Sequence, residues 1–476
     1  MLTRFRIFYF LLIYFGLRIF SFYFQPTTPL NHSPHPLNTV LAIAIVATTA
    51  YLLCRKNILG WYIVAAELIL GGSGLFLQAF GITIRSLLLI TGLVIYFWQT
   101  RTEILKPDKT KLIIIELLAI TALGVARGIF FGNAGAQVIS DAIPYLFLLY
   151  YFPLRGLIKD EAWKKWCFMA LLATVLGQAI FILLTYMGFT GGLFHLQDTF
   201  YHWYRDIDAG KITLVSYNFY RLVLNEQLLL IPALLLFIYR AIAGKISAKG
   251  GSASGWKKPE YFILGLLFVL SLNLTRIYIV ALFAGMLALF SRRNWKRWLA
   301  VSLGSSFTFL IIFSLLFLVS SGGKSFGLEV FGLRLQSIVT PNLEESSFSR
   351  ILLLPKIFDQ ILEHPFLGSG LGSTVTVFSP TLKTDIGTTN YDWGYLEILA
   401  ELGVIGRSVW LLFIYYAAAG QKNRPRWQIA SLISLLIINL TSPAVFHVFG
   451  ITFLAFLLAL SSSASAEQSV APIHNP

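Results

Sequence analysis

The chain has little charge for its length. Only 12% of its 476 residues are charged and 57% are hydrophobic, whereas soluble domains carry about 25% charged and about 45–50% apolar residues. Too little polar surface remains to cover a water-soluble fold, so the composition predicts an integral membrane protein. Cysteine is also scarce. The chain has two cysteines, Cys54 and Cys167, and they form no spaced metal-binding motif and no evident disulfide pair.

The charge that is present is mainly basic, with 37 Lys and Arg residues against 22 Asp and Glu residues. The basic residues lie in short clusters between apolar runs, as in the stretch Arg292–Arg297. This placement follows the positive-inside rule and indicates anionic lipid head groups, not nucleic acid, as the partner. All the clusters fall on one side of the membrane when both termini are cytoplasmic.

Apolar runs of the length that a bilayer requires, roughly 17–25 residues, recur along the chain. They predict an all-α polytopic membrane protein with about 12–14 transmembrane helices in one domain over residues 1–460. If residues 260–290 formed one span, every later basic cluster would change sides, so we predict two short spans with Arg276 at their outer turn. The basic, Gly- and Ser-rich segment 240–259 is predicted to be a cytoplasmic linker, and the polar segment 461–476 a disordered tail.

A large extracytoplasmic loop is predicted over residues 321–392, before the third-last span. An amphipathic helix is expected inside it, with Pro355 in its first turn, on the membrane surface or over a cavity. Its apolar face is predicted to contain Leu354, Ile357, Phe358, Ile361 and Leu362. The glycines of Gly368–Gly372 resemble a phosphate-binding loop, but no strand precedes them. We therefore predict a tight loop that lets the backbone approach another segment.

Ionisable residues at membrane depth are costly and indicate function. Arg276 and Arg221 are predicted to emerge on the outer face, where a guanidinium suits a phosphate or diphosphate; alternatively, each anchors a helix end. Glu226 is a candidate for substrate binding; alternatively, it forms a structural ion pair with Arg221. Asp392, where the large loop re-enters the membrane, is a candidate general base or the N-cap of the following helix.

Two further carboxylates, Glu397 and Glu401, are spaced one helical turn apart and share a face. They line a polar cavity or form a structural polar seam. The sequence has no cluster of Cys, His and carboxylate residues with the spacing of a metal site, so neither a metal nor another cofactor is expected.

Two stretches in the C-terminal half form a characteristic pair. Residues 363–372 read EHPFLGSGLG, and residues 394–406 read GYLEILAELGVIG. Together they resemble the signature of the O-antigen ligase and Wzy-type polymerase superfamily. The apolar segment 267–289, with Arg276 inside it, resembles a second recurrent block, and Arg221 sits where the family often carries an arginine. The resemblance covers residues 215–420.

The resemblance implies a bacterial inner-membrane glycosyltransferase with a GT-C-like fold. Such an enzyme transfers a glycan from an undecaprenyl-diphosphate donor, outside the cytoplasm and without a metal. Its partners are membrane lipids and other polysaccharide assembly proteins. Arg221 and Arg276 are then expected to hold the donor diphosphate, and Asp392 to deprotonate the acceptor hydroxyl. The substrate-binding candidates are Glu226, Arg350, Tyr395 and Glu397.

At one place the chain departs from the ligase pattern. Ligases usually carry His-Asn before the Tyr-Leu pair, whereas Asp392-Trp393 occupies those positions here. A carboxylate can act as base toward a sugar hydroxyl, so polymerisation of lipid-linked repeat units is favoured over ligation to a lipid or protein acceptor. A permease for an anionic solute is the alternative of another class, and the absence of an internal sequence repeat argues against it.

Overall fold

A computed structural model describes residues 2–24, 35–100, 108–243, 259–340, 345–379, 384–389, 391–419 and 424–469. Helices make up most of the described residues. Seven of the described helices are long and apolar enough to cross a membrane, and six shorter apolar helices accompany them. The predicted all-α polytopic membrane fold is thereby confirmed. Residues 244–258 of the predicted linker and 470–476 of the predicted tail lie outside the described ranges.

The described helices and strands follow one another in this order. The first part contains α1 (Leu2–Phe24), α2 (Pro36–Cys54), α3 (Leu59–Leu70), β1 (Gln78–Ala79), β2 (Ile82–Thr83), α4 (Ile84–Gln99), α5 (Lys109–Phe130), α6 (Gly135–Leu146), α7 (Tyr151–Leu157), α8 (Glu161–Thr190) and α9 (Thr199–Asp206). The second part contains β3 (Gly210–Ser216), β4 (Phe219–Leu224), α10 (Leu230–Ala243), α11 (Pro259–Asn273), α12 (Arg276–Ala288), α13 (Trp295–Ser320), α14 (Leu328–Val339), α15 (Glu345–Glu363), β5 (Val375–Ser379), β6 (Thr384–Thr388), α16 (Gly394–Ala419), α17 (Arg426–Ile438) and α18 (Val448–Ser469).

The chain divides into two compact units. The first unit contains Met1–Arg101, Asp160–Thr275 and Leu289–Leu328. The second unit contains Thr102–Lys159, Arg276–Ala288 and Glu329–Pro476. Each unit is therefore assembled from segments that are far apart in the sequence.

The longest described helix of the first unit, α8, has 30 residues. It begins at an N-cap, Asp160, whose carboxylate accepts hydrogen bonds from the backbone N–H groups of Ala162 and Trp163 at 2.7 and 3.2 Å. Such a cap satisfies donors that have no partner inside the helix. Helices α1 and α3 pack against α8 around the fully buried Tyr14 and Leu70. This packing forms the apolar core of the first unit.

A β-hairpin, β3–β4, follows α9 in the same unit. Its two turn residues, Tyr217 and Asn218, have positive φ angles of 48° and 59°. Positive φ at both central residues defines a type I′ turn, whose twist matches that of the two strands. The hairpin places Arg221 on β4, opposite Thr213 of β3.

In the second unit, α5 packs against α16, and α12 packs against α17. The predicted extracytoplasmic loop has a small core of its own within this unit. It contains Ile357 and Ile361 of α15, Val375 of β5, Tyr391 and Ala400. The segment that the sequence marked as a loop is therefore a packed structure, tied to the first turns of α16.

The chain breaks between α11 and α12 as the charge alternation predicted. Helix α11 ends at Asn273, and α12 begins at Arg276. The Asn273 side chain accepts a hydrogen bond from the Thr275 N–H at 3.0 Å, and Leu274 adopts the left-handed conformation with φ 46°. Two short helices therefore replace one long span, and Arg276 starts the second of them.

The predicted amphipathic helix is present as α15, but the expected position of Pro355 was wrong. The helix begins at Glu345, so Pro355 lies in its interior and removes the hydrogen bond to the carbonyl of Ile351. The predicted apolar face is also divided. Ile357 is fully buried, whereas Leu362 is 76% exposed. Helix α15 thus packs inward through one row of apolar residues and presents another outward.

Candidate functional site

Arg221 in the first unit is held by two hydrogen bonds. Its Nε donates to the main-chain oxygen of Asn273 at 2.7 Å, and its Nη2 donates to Thr275 Oγ1 at 2.9 Å. The carbonyl groups at a helix C-terminus lack partners inside the helix and attract a cation. The end of α11 therefore fixes the guanidinium of Arg221 in a defined orientation.

Glu226 has a partner that the sequence did not indicate. Arg18 Nη2 donates to both Glu226 carboxylate oxygens, at 3.0 and 2.9 Å, across 208 positions of sequence. The side chains are only 3% and 6% exposed, and the Tyr14 hydroxyl donates to the same carboxylate at 3.0 Å. The structure therefore gives Glu226 the structural ion pair that we considered, but with Arg18. A role of Glu226 in substrate binding stays a prediction.

Arg276 in the second unit stands at the N-terminus of α12. Its Nη1 donates to Ser337 Oγ of α14 at 2.6 Å. The N-terminal N–H groups of a helix carry partial positive charge and attract anions. A guanidinium at the same end adds a full positive charge, so this part of the second unit is suited to a phosphate.

Arg350 and Asp392, two residues predicted for the site, are brought together in the second unit. Arg350 Nε lies 3.3 Å from Asp392 Oδ2, and both side chains are partly exposed, at 29% and 38%. Asp392 has φ 57° and precedes Trp393, the residue directly before α16. Trp393 in turn donates from Nε1 to the main-chain oxygen of Arg350 at 3.0 Å. Asp392 therefore lies one residue outside the N-cap position and has an arginine partner.

The residue before Asp392, Tyr391, is fully buried. Its hydroxyl donates to Gln360 Oε1 at 2.9 Å and lies 2.7 Å from the hydroxyl of Ser373. Burial raises the pKa of the Tyr391 hydroxyl, and the Glu401 carboxylate raises it further, so the phenol stays neutral. This anchor fixes the backbone that presents Asp392.

Three carboxylates cluster at the start of α16. The backbone N–H of Gly372 donates to Asp141 Oδ2 at 3.0 Å and to Glu401 Oε1 at 3.2 Å. Because Asp141 and Glu401 accept from the same N–H group, their carboxyl groups lie close together, and like charges this close favour one shared proton over two ionised groups. Glu397 accepts from the Tyr391 N–H at 3.3 Å. The polar seam that we considered for Glu397 and Glu401 therefore includes a third carboxylate, that of Asp141.

Asp141 was missed by the sequence reasoning. The available signal was an acidic residue inside an apolar stretch, which is by itself a reason to expect a function or a specific partner. Arg127 of α5 was missed as well. Its Nε and Nη2 donate to the main-chain oxygen of Gly368 at 3.0 and 2.7 Å.

The glycine-rich stretch 368–372 is a tight loop that docks on other backbone, as predicted. The N–H groups of Ser369 and Gly370 donate to the carbonyls of Ala400 and Glu401 at 2.8 and 2.9 Å. Gly370 has φ 85°, and a Cβ there would lie 2.1 Å from the backbone nitrogen of Gly128 in α5. Only glycine allows this approach.

Helix α16 is itself interrupted where the loop meets it. Gly403 has φ 67° and ψ −171°, which breaks the helix. The N–H groups of Val404 and Ile405, which the break frees, donate to the carbonyls of Pro365 and Phe366 at 2.9 and 3.2 Å. The two stretches that carried the resemblance are therefore one structural element, joined by main-chain hydrogen bonds.

Tyr395 packs into the second unit. Its hydroxyl donates to the main-chain oxygen of Leu436 in α17 at 2.8 Å, and its ring contacts Trp410 edge-on. Its predicted role in substrate binding is not tested by these contacts. Within the described ranges, no group of three or more His, Cys, Asp or Glu side chains is placed to hold a metal ion.

The family comparison gives one match. Residues 261–411 match the family model described as O-antigen ligase. Arg276, Arg350, Asp392, Tyr395 and Glu397 lie inside the matched residues. Arg221 and Glu226 precede them. No curated protein and no solved structure matches the chain.

The matched residues include both stretches of the sequence resemblance and two of the three clustered carboxylates, Glu397 and Glu401, whereas Asp141 precedes them. The family indicates an O-antigen ligase or polymerase type of function and a lipid-linked glycan as the substrate. Residues 261–411 of this multi-pass membrane protein are therefore similar to the O-antigen ligase family.

Proposed function

We propose that the protein polymerises oligosaccharide repeat units that are linked to undecaprenyl diphosphate, at the outer face of the bacterial inner membrane. The observation that carries this proposal is the partly exposed pair of Asp392 and Arg350 inside the residues that match the O-antigen ligase family. Asp392 and Trp393 stand where ligases usually have His-Asn, and Asp392 provides a carboxylate that can accept a proton.

In the proposed reaction Asp392 takes the proton of an acceptor sugar hydroxyl. The hydroxyl oxygen attacks the anomeric carbon of the donor glycan, and the bond from that carbon to the phosphate oxygen breaks. Undecaprenyl diphosphate leaves with the bonding electron pair, and the proton passes from Asp392 to water. Arg350 orients the carboxylate through its contact at 3.3 Å.

Arg276 is the proposed partner of the leaving diphosphate. Negative charge grows on the diphosphate as the glycosidic bond breaks, and a positioned guanidinium stabilises that charge more in the transition state than in the ground state. The N-terminus of α12 adds to the same field. The first-unit Arg221 is proposed as a second cation for the donor because the sequence resemblance places an arginine there.

The decisive experiment uses purified protein with a synthetic lipid-linked oligosaccharide and follows chain extension by gel electrophoresis. Arg276→Ala and Asp392→Asn are expected to abolish extension, because the first loses the cation and the second loses the base. Asp359→Asn is the matched control for Asp392, since Asp359 is an exposed carboxylate of the same loop paired with Lys356. Near-normal extension by either test variant refutes its assigned role.

Ligation remains the second candidate, since the matched family model is described as O-antigen ligase. A deletion strain separates the two activities. A polymerase deletion accumulates single lipid-linked repeats, whereas a ligase deletion accumulates long polymer that is not attached to its acceptor. Accumulation of unattached polymer would mean that the proposed activity is ligation and not polymerisation, and the proposed roles of Arg276 and Asp392 would stay the same.

A further inference from the structure

Helix α14 buries a polar residue and exposes its apolar ones. Ser337 is 3% exposed, whereas Leu333 and Val339 on the same helix are 57% and 83% exposed. A hydroxyl gains nothing from burial unless it has hydrogen-bond partners. The contacts of Ser337 therefore have to supply those hydrogen-bond partners.

Ser337 contacts Arg276 in a geometry that leaves its hydroxyl little freedom. The hydroxyl donates its only proton to the main-chain oxygen of Arg334 at 2.9 Å. Its lone pairs then face Arg276, whose Nη1 donates to Oγ at 2.6 Å. A second acceptor, the main-chain oxygen of Ser337, lies 3.4 Å from the same nitrogen. The arginine thus meets an acceptor that is already oriented.

The backbone of Arg276 is fixed as well. Arg276 is the first residue of α12, so the helix holds its backbone. With the backbone fixed, the remaining freedom of Arg276 lies in the torsion angles of its long side chain, and the hydrogen bond to Ser337 restricts them. A guanidinium binds a phosphate through parallel N–H groups in one plane, so the orientation of that plane decides how well the phosphate is held.

We propose that Ser337 is a positioning residue, which orients the Arg276 guanidinium toward the donor diphosphate. The proposal rests on the proposed function, because it assumes that Arg276 acts on the leaving group. It assigns to α14 a role in the reaction that its apolar sequence does not reveal.

The test compares two substitutions that differ only in the hydroxyl group. Ser337→Thr keeps the hydroxyl, whereas Ser337→Val has the shape of threonine without it. With lipid-linked oligosaccharide as the probe, Ser337→Val is expected to lower kcat about tenfold, as for the loss of one hydrogen bond to a charged group. The KM for the acceptor is expected to stay unchanged, and Ser337→Thr to retain activity close to that of the wild type.

Thr340→Val is the matched control, because the exposed Thr340 hydroxyl, directly after α14, donates to the main-chain oxygen of Gln336 within its own turn. It is expected to behave like the wild type. A merely structural role of Ser337 would lower the amount of folded protein and leave kcat per folded molecule unchanged, which overturns the proposal. Equal activities of Ser337→Val and Ser337→Thr overturn it too. If Arg276→Ala extends chains normally, the proposed function itself fails, and this result is distinct from both others.

Discussion

Replacing Gly403 by alanine tests the central element of the second unit, the junction of α16 with the glycine-rich loop. Gly403 has φ 67° and ψ −171°, a region that only glycine populates readily and that costs other residues about 1–3 kcal/mol. A Cβ there would lie 2.3 Å from the carbonyl carbon and oxygen of Phe366. The backbone of residues 365–367 must move away to make room for it.

That movement removes the main-chain hydrogen bonds from Val404 to Pro365 and from Ile405 to Phe366. Each is worth about 1 kcal/mol. Together with the backbone strain, Gly403→Ala is expected to lower the free energy of unfolding by about 3–5 kcal/mol. Since native proteins are stable by about 5–15 kcal/mol, the variant should accumulate poorly in cells.

The measurement is denaturant unfolding of the purified protein in detergent, with Gly304→Ala as the matched control. Gly304 lies in the middle of α13, and a Cβ there meets nothing within 4 Å. Alanine favours a helix over glycine by about 1 kcal/mol, so the control should be as stable as the wild type or more stable. Unfolding of both variants at the same denaturant concentration would contradict the close contact of Gly403 with Phe366.

Three further predictions concern the polar residues. Arg18→Met leaves the Glu226 carboxylate buried and unpaired, so it is expected to lower the free energy of unfolding by about 3–5 kcal/mol; adding Glu226→Gln should recover part of this loss, and no recovery contradicts the pairing. Glu401→Gln replaces the proton that Asp141 and Glu401 share by a permanent amide donor, so the variant is expected to unfold like the wild type at neutral pH. As the pH rises and the wild type loses that proton, the variant is expected to become the more stable protein; equal pH profiles of the two proteins would refute a shared proton. Arg221→Ala is expected to abolish chain extension and Arg205→Ala, at an exposed arginine of the same unit, to leave it unchanged; activity of Arg221→Ala near that of the control removes Arg221 from the donor site.

Part of the fold could be read from local sequence. The break between Asn273 and Arg276 followed from the alternation of basic clusters, because the positive-inside rule compares successive loops along the sequence and needs no tertiary contact. The interior position of Pro355 could not be read in this way. A proline marks a first turn only on average, and the packing of Ile357 and Ile361 decides where α15 lies.

The glycine-rich stretch shows where prediction from sequence stops. Its glycines indicated that backbone approaches backbone, because no other residue permits such contact. They did not indicate that the partners are Gly128 of α5 and the interrupted turn at Gly403. A glycine has no side chain with which to specify a partner, so only the tertiary structure could name them.

Local sequence identified a polytopic membrane protein, because the burial of apolar residues in a bilayer adds up residue by residue. The motifs EHPFLGSGLG and GYLEILAELGVIG carried the resemblance to the O-antigen ligase superfamily. Which charges meet depends on the tertiary fold. Arg18 pairs with Glu226 across 208 positions, Arg350 with Asp392, and Arg276 with a serine of α14. Such contacts have no local pattern, since the energy of a buried charge depends on the one partner that folding brings to it.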